Sequence, residues 1–472
     1  MFHRSNKAKR GLRPGASALP RFFAGFLALV TVGGMIRLYA MADQAFGSAQ
    51  LAERAELSRD LVFLSDTENR VVDSTTPCYT QIVTRDGVVL WRSDRLDNPQ
   101  TDAWFGLIGD VASYQINQAA GRADRFFVSS YYDQLFRQPS YSLWTGLHMP
   151  DRTYTLTLRD ALQNQVTDWM NQHQIQGSIF AYNASTGEIH CMASTSQRYI
   201  NKNMYAFTPG STMKLVTLLL AAGQGIDLEH LSYTCTGAYT LKADGQVVGC
   251  TGTHGTIGTA QAIGFSCNCW FAQLIEQLDF AQAAQTLESL GVLVNGTGCT
   301  TLGQIRRSQS YVHFSGDLSA TFHSTMQLIG QDSGLMSPID MAFYAALLAT
   351  GGQACAPRLL TRDQPAQLDF ALQHPDLFDR VYALWQQGYQ ATYEGYSDLI
   401  TAAKTGTVSG LGPDNRRQRT LCLWSEPLQT AAFIVLENYD DCGVSLQQAA
   451  NFLVECIGQI ESSTSGKESS LC

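Results

Sequence analysis

The N-terminal region carries an almost continuous apolar run, Phe22 to Ala42, broken by Arg37. Its length is close to the ~20 residues that a helix needs to cross a bilayer. Before it stand Arg4, Lys7, Lys9, Arg10, Arg13 and Arg21, and no acidic residue follows until Asp43. Basic flanks stay on the cytoplasmic side, so the pattern predicts one spanning helix with everything after about Asp43 outside. A second reading is a cleaved leader. Ala40-Met41-Ala42 resembles a small-residue cleavage site, and Arg37 leaves an uninterrupted apolar core of only ~15 residues. The uncleaved anchor is favoured, because Arg37 lies where its side chain can snorkel to the outer interface.

Beyond the run the periodicity changes twice. From Asp43 to about Pro150 the texture is mixed and polar, with a helical start at Gln44 to Leu61 and a strand-like run at Tyr79 to Trp91 that turns at Arg85-Asp86-Gly87. This reads as a small pedestal. Longer elements follow: a strand at Tyr154–Leu158, a helix from Arg159 to about His173, and strands at Gly177–Tyr182 and Glu188–Met192 joined by Asn183-Ala184-Ser185-Thr186-Gly187. A hairpin followed by helices opens an α+β domain. Leu215 to Ala222 is apolar on every side and must be a buried helix. The last residues, Glu461 to Cys472, are mostly Ser, Gly, Lys and Glu and are expected to be disordered. The predicted organisation is a cytoplasmic tail (1–21), a membrane span (22–42), a pedestal (43–150), a main domain (151–460) and a disordered tail (461–472), with no internal repeat.

Composition narrows the function classes. In 472 residues, 45% are hydrophobic, so two domains with full cores are within reach. Charged residues make up 15% and the net charge is -9, which excludes a basic surface built for nucleic acid. Twelve cysteines in a chain placed outside the cytoplasm can form disulfides. Cys235 and Cys250 bracket a segment that reads as a hairpin turning near Asp244-Gly245, and they are the best candidate pair; thiols left reduced by an anaerobic source are the alternative. The other ten follow no metal-ligand spacing. Cys267 and Cys269 are two apart with no second pair beside them, so no zinc site and no cofactor is expected.

Three short segments carry chemistry. Thr208-Pro209-Gly210-Ser211-Thr212-Met213-Lys214 leads into the buried helix, placing Ser211 at its start and Lys214 one turn on, with both side chains on one face. A Ser three residues before a Lys is usually a solvated surface pair. Here the lysine starts an apolar helix, and a buried amine needs a reason to be inside. Ser266-Cys267-Asn268 interrupts an apolar segment with a hydroxyl and an amide; alone it reads as an ordinary helix cap before Trp270-Phe271. Lys404-Thr405-Gly406-Thr407 lies between apolar residues and reads as a strand whose glycine admits another backbone, against the plainer reading of an edge strand with one lysine in solvent.

In this order, S-x-x-K, S-x-N and K-T-G resemble the motif set of penicillin-binding proteins and serine β-lactamases. Ala181 to Ile189, His254-Gly255, Ile329-Gly330-Gln331 and Ser337-Pro338 are similar to further landmarks of that family. Thr84-Arg85-Asp86-Gly87 resembles the pedestal motif of its monofunctional, class B members, although the full arginine-glycine signature before it is missing. The resemblance implies an α+β transpeptidase-like domain with an antiparallel sheet flanked by helices. It also implies a serine D,D-transpeptidase of the cell wall, single-pass in the cell membrane, with its catalytic domain outside. Ser211 would be the nucleophile and Lys214 its base. Ser266 and Asn268 would relay protons and position peptide. Lys404, Thr405, Gly406 and Thr407 would form a wall that binds the substrate carboxylate, with backbone N–H groups of Ser211 and Thr407 as an oxyanion hole. Peptidoglycan stem peptides and β-lactams are the implied ligands, and a separate membrane glycosyltransferase the implied partner. A D,D-carboxypeptidase, a serine β-lactamase and a non-enzymatic β-lactam sensor share the motifs and stand as alternatives.

Overall fold

The computed structural model describes residues 80–468 apart from 94–97, 99, 111–124, 136–139, 143–145, 149–152, 196–200, 367–374 and 412–415. The expected membrane span, the basic tail and the helix at Gln44–Leu61 lie outside the described residues. No helix among the described residues is long and apolar enough to cross a membrane.

The described elements that position the site are, in chain order, β1 (Gln81–Val83), β2 (Val89–Arg92), α1 (Asp102–Ile108), β3 (Thr153–Thr155), α2 (Asp160–Gln172), β4 (Gly177–Asn183) and β5 (Ile189–Thr195). Then come α3 (Met213–Gly223), β6 (Ser232–Cys235), β7 (Ala238–Thr240), β8 (Val247–Gly249), β9 (Gly255–Gly258), α4 (Thr259–Gly264), α5 (Asn268–Ile275) and α6 (Phe322–Ile329). The chain closes with α7 (Pro338–Ala349), α8 (Pro375–Thr392), β10 (Ala402–Leu411), β11 (Arg416–Ser425), β12 (Thr430–Leu436) and α9 (Leu446–Glu468).

Five strands form one antiparallel sheet in the order β10-β11-β12-β4-β5. The alternation along β12 shows what the sheet does. Ala431, Phe433 and Val435 point into one apolar cluster, which also takes in α3, α5 and α7. Ala432, Ile434 and Leu436 point into another, shared with Leu162, Val166 and Met170 of α2 and with Ala449, Leu453 and Ile457 of α9. A strand buried on both faces reads as a continuous apolar run, as Ala431 to Leu436 of β12 do, and all seven of its residues are buried. Helices thus cover both faces of the sheet. The expected α+β architecture is present, and Met213 to Ala222 of α3 are all buried.

The pedestal hairpin forms at the expected turn, with β1 and β2 antiparallel. The strand expected to open the main domain is shorter than read. As β3 it pairs parallel with β1, so it completes the small sheet. Contacts from its turn join this sheet to the main domain: Arg85 and Arg358 both bind the Glu188 carboxylate in the β4–β5 hairpin, Arg358 at 2.9 Å, and Asp86 Oδ1 accepts from the Asp160 N–H at the start of α2 at 3.0 Å.

Of the tail expected to be disordered, residues 461–468 are described and are helical, and residues 469–472 lie outside the described residues. Helix α9 runs on to Glu468. Its polar end continues because serine hydroxyls bond back to the carbonyls three residues earlier, Ser462 to Gln459 and Ser463 to Ile460, and Glu461 faces His190 at 3.6 Å.

Ile434 is fully buried where β12 meets α2 and α9. Ile434→Ala is therefore expected to lower stability by about 2–5 kcal/mol in denaturant melts, through lost transfer energy and the cavity left behind.

Candidate active site

The turn before α3 sets the geometry. Gly210 to Thr212 form a single 3-10 turn that leads directly into α3, with Gly210 at φ 61°. That positive φ is a conformation in which a side chain is strained. Two hydroxyls hold the turn by donating to the Pro209 carbonyl, Thr212 at 2.6 Å and Thr420 of β11 at 2.7 Å. Strand β10 crosses close by. A Cβ at Gly406 would stand 2.7 Å from the Pro209 oxygen and 3.0 Å from the Ser211 nitrogen, and one at Gly210 would stand 3.0 Å from the Thr407 nitrogen. The two glycines therefore let the backbones of Ser211 and Thr407 approach to near contact.

Ser266 sits at a helix end in a conformation that usually calls for glycine. The Cys267 N–H reaches back to the Ala262 carbonyl (3.0 Å) and the Ser266 N–H to Ile263 (3.2 Å), with Ser266 at φ 54°. This pair of bonds closes a Schellman motif at the end of α4. Cys267 then caps α5, so Ser266 lies in, and Asn268 just after, a three-residue hinge between two helices.

Both lysines are fully buried. Lys214 Nζ donates to the Ser266 carbonyl (2.7 Å) and to Asn268 Oδ1 (2.7 Å), and lies 3.2 Å from Ser266 Oγ. Lys404 Nζ donates to Ser266 Oγ (3.0 Å) and to the Thr405 carbonyl (2.7 Å). One hydroxyl thus bridges two amines. A hydroxyl has one proton and two lone pairs, so Ser266 can accept from Lys404 while donating to a neutral Lys214. Burial pulls the Lys214 amine down to about 7. Lys404 is pushed well below its ordinary value by burial and then by the charge of Lys214.

Strand β10 is the outer strand of the sheet, and two side chains occupy its free edge. The Tyr393 hydroxyl accepts from the Thr405 N–H at 3.1 Å and shares a hydrogen bond with Thr405 Oγ1 at 3.0 Å. Gln331 donates to the Thr407 carbonyl at 3.1 Å. Farther along the same edge, Trp385 Nε1 donates to the Ala403 carbonyl at 3.0 Å. Thr405 and Thr407 are partly exposed, while Lys404 and Gly406 between them are buried. This excludes the reading of an edge strand with its lysine in solvent. All the predicted site residues are brought together. Sequence reasoning missed Tyr393 and took Gln331 only as a landmark. The signal for Tyr393 was a set of tyrosines at 389, 393 and 396, whose rings cluster where the chain leaves α8.

The cysteine expectations are corrected. Cys235 and Cys250 are free. The hairpin β7–β8 forms as read, yet both thiols face a third group, His254, and Cys250 also meets Cys267. Cys269 meets the Val248 carbonyl at 4.0 Å and lies close enough to Cys235 and Cys250 that burial, and then these two thiols, push its own thiol up. The spacing rule failed because these groups come from separate segments of the chain.

A sequence model of the penicillin binding protein transpeptidase domain matches residues 177–425, just over half of the chain and all of the site above. No curated protein matches the chain. Similar solved structures include penicillin-binding protein A from Mycobacterium tuberculosis as its penicillin G acyl-enzyme complex, 19% identical with a TM-score of 0.60, covering 82% of this chain and 100% of that one. PBP2 from Pseudomonas aeruginosa in complex with WCK 5153 is 18% identical with a TM-score of 0.63, covering 80% and 95%. The D,D-transpeptidase domain of a peptidoglycan glycosyltransferase from Eggerthella lenta is 18% identical with a TM-score of 0.62, covering 82% and 98%. At these identities the likeness establishes the fold.

Two outcomes follow from the geometry. A base must be neutral to accept a proton, so acylation of Ser211 by an activated ester should rise with pH through about 7 and level off above it; a rate that is flat from pH 5 to 9 would exclude Lys214 as the base. At Gly406, an added methyl would stand 2.3 Å from Thr420 Oγ1 as well as against the Ser211 turn. Gly406→Ala should slow that acylation by about 10²-fold, the scale of a ~1 Å misplacement, as read in stopped-flow kinetics.

Proposed function

Because the chain belongs to the penicillin-binding protein transpeptidase family, we propose that it is a D,D-transpeptidase that cross-links peptidoglycan stem peptides through an acyl-enzyme on Ser211. The observation that carries this reading is the hydroxyl of Ser266 held between two buried lysines, beside a serine that stands at a helix start against the edge strand.

Ser211 Oγ attacks the carbonyl carbon of the D-Ala-D-Ala bond, and its proton passes into the Lys214–Ser266 pair. The oxyanion is received by the backbone N–H groups of Ser211 and Thr407, whose close approach the two glycines permit. When the adduct collapses, the C–N bond breaks and the leaving D-Ala amine takes a proton from Ser266, with Lys404 donating to that hydroxyl from behind. An amine of a neighbouring stem peptide then attacks the ester, returns its proton to the same pair and frees Ser211. Asn268 positions the peptide, and Thr405, Thr407 and the nearby amine of Lys404 receive its terminal carboxylate.

β-Lactams enter as dipeptide mimics that acylate Ser211. The penicillin G acyl-enzyme of the Mycobacterium tuberculosis relative supports this. The apolar run at Phe22–Ala42 anchors the chain with this domain outside the cytoplasm, and a separate membrane glycosyltransferase supplies the glycan strands. The clamp between the Arg85 turn and the Glu188 hairpin supports a class B-like pedestal.

Labelling with a fluorescent penicillin tests the nucleophile: Ser211→Ala should lose the label entirely, and equal labelling of both proteins would sink the assignment. With lipid-linked stem peptide and an added D-amino acid, exchange products are expected; only shortened peptide would mark water as the acceptor and refute cross-linking.

A further inference from the structure

Four potential ligands gather behind the Ser266-Cys267-Asn268 hinge. They are Cys235 at the end of β6, Cys250 after β8, His254 before β9 and Cys267 between the two catalytic residues. Their donor atoms all lie within 4.8 Å of one another. Nδ1 of His254 stands 3.4 Å from Cys235 Sγ and 3.6 Å from Cys250 Sγ, and Cys250 Sγ stands 3.8 Å from Cys267 Sγ.

These separations discriminate between the possible states of the cluster. A disulfide needs sulfurs about 2.05 Å apart, and the closest recorded thiol pair here is at 3.8 Å. A tetrahedral zinc ion with Zn–S bonds of about 2.3 Å and Zn–N of about 2.0–2.1 Å has ligand-to-ligand edges of about 3.8 Å between sulfurs and 3.5 Å from sulfur to nitrogen. The recorded edges match that frame. Two of the thiols, Cys235 and Cys267, are buried, and His254 is held by stacking on Phe265, 5.3 Å between centroids. The fourth position is filled by protein, so no site is left for a reactive water, which is the pattern of a structural centre.

We propose that Cys235, Cys250, His254 and Cys267 bind one structural zinc ion, with three thiolates and a neutral imidazole bound through Nδ1. Each cysteine gives up its proton on binding, and no redox step is involved. The ion ties β6, the segment between β8 and β9, and the start of α5 to a single point. Asn268 is fastened to the same unit from the other side, since its Nδ2 donates to the Gly249 carbonyl at 3.0 Å while its Oδ1 holds Lys214. On the transpeptidase reading, the metal therefore fixes Ser266 and Asn268 in register with Lys214 and Lys404, as a positioning centre that touches no substrate.

The full chain, purified under reducing conditions, should carry close to one zinc per chain by elemental analysis. Cobalt(II) added to the chelator-stripped protein should give a thiolate-to-cobalt charge-transfer band and tetrahedral d–d bands. Cys250→Ser and His254→Ala should lose the metal, whereas Cys299→Ser, at an exposed cysteine outside the cluster, should keep it. Stripping the wild type should slow fluorescent-penicillin acylation by about 10²-fold, the effect of a ~1 Å shift in the catalytic groups, and added zinc should restore it. A reduced protein that retains no zinc and gives no cobalt spectrum overturns the proposal. So does a metal content unchanged in both ligand variants, or a disulfide between Cys250 and Cys267 in the protein as isolated. Unchanged acylation after stripping overturns the positioning role. Metal content is read independently of labelling, so a wild type that binds zinc but takes no penicillin would refute the functional reading alone.

Discussion

Two lysines lie fully buried with no carboxylate paired to either among the described residues, and a single serine hydroxyl bridges them. An unpaired buried charge costs several kcal/mol, and two side by side cost more. The arrangement is tolerable only if at least one amine sheds its proton and every remaining donor meets an oxygen. This constraint explains the surroundings. The carbonyls of Ser266 and Thr405, the amide of Asn268 and the Ser266 hydroxyl are the oxygens supplied. They must stay in place in both protonation states: two are backbone carbonyls, and the other two belong to short side chains fixed at a helix hinge.

The fold supplies that rigidity in layers. The sheet divides two apolar clusters, and β11 next to the edge strand is anchored into both, through Cys422 and Trp424 on one side and Leu421 and Leu423 on the other. Helix α3 is enclosed in the first cluster along its whole length, so its first turn has no freedom to drift from β10. Ser211, proposed as the nucleophile, thus stands partly open to solvent on a turn held against buried partners.

Much of this was legible in the chain itself. The residues from Leu215 to Ala222 could only be a buried helix, and a lysine at its start could only be functional or ruinous; the three motifs then pointed to one pocket. The hairpins at Arg85-Asp86-Gly87 and Asn183 to Gly187 were readable because turn chemistry is local. What escaped was assembled from distant segments. Tyr393 meets Thr405 only because α8 ends beside β10, and the groups around Cys267 converge through β6–β9 pairing that no spacing rule encodes. The polar end of α9 looked like a tail because composition counts side chains, and it does not count the hydroxyl-to-carbonyl bonds that can continue a helix.

The free edge of β10 bears on how an extended peptide is chosen. Its Thr405 N–H and Thr407 carbonyl already have surrogate partners in Tyr393 and Gln331. A strand that docks there exchanges hydrogen bonds with these surrogates more than it adds to their number, so main-chain pairing alone gives an arbitrary segment little net affinity. On the transpeptidase reading proposed above, discrimination falls instead to the peptide's terminal carboxylate, which Thr405, Thr407 and Lys404 would receive. The edge is thereby guarded against indiscriminate β-addition, and it behaves as a lock whose pins are its own side chains.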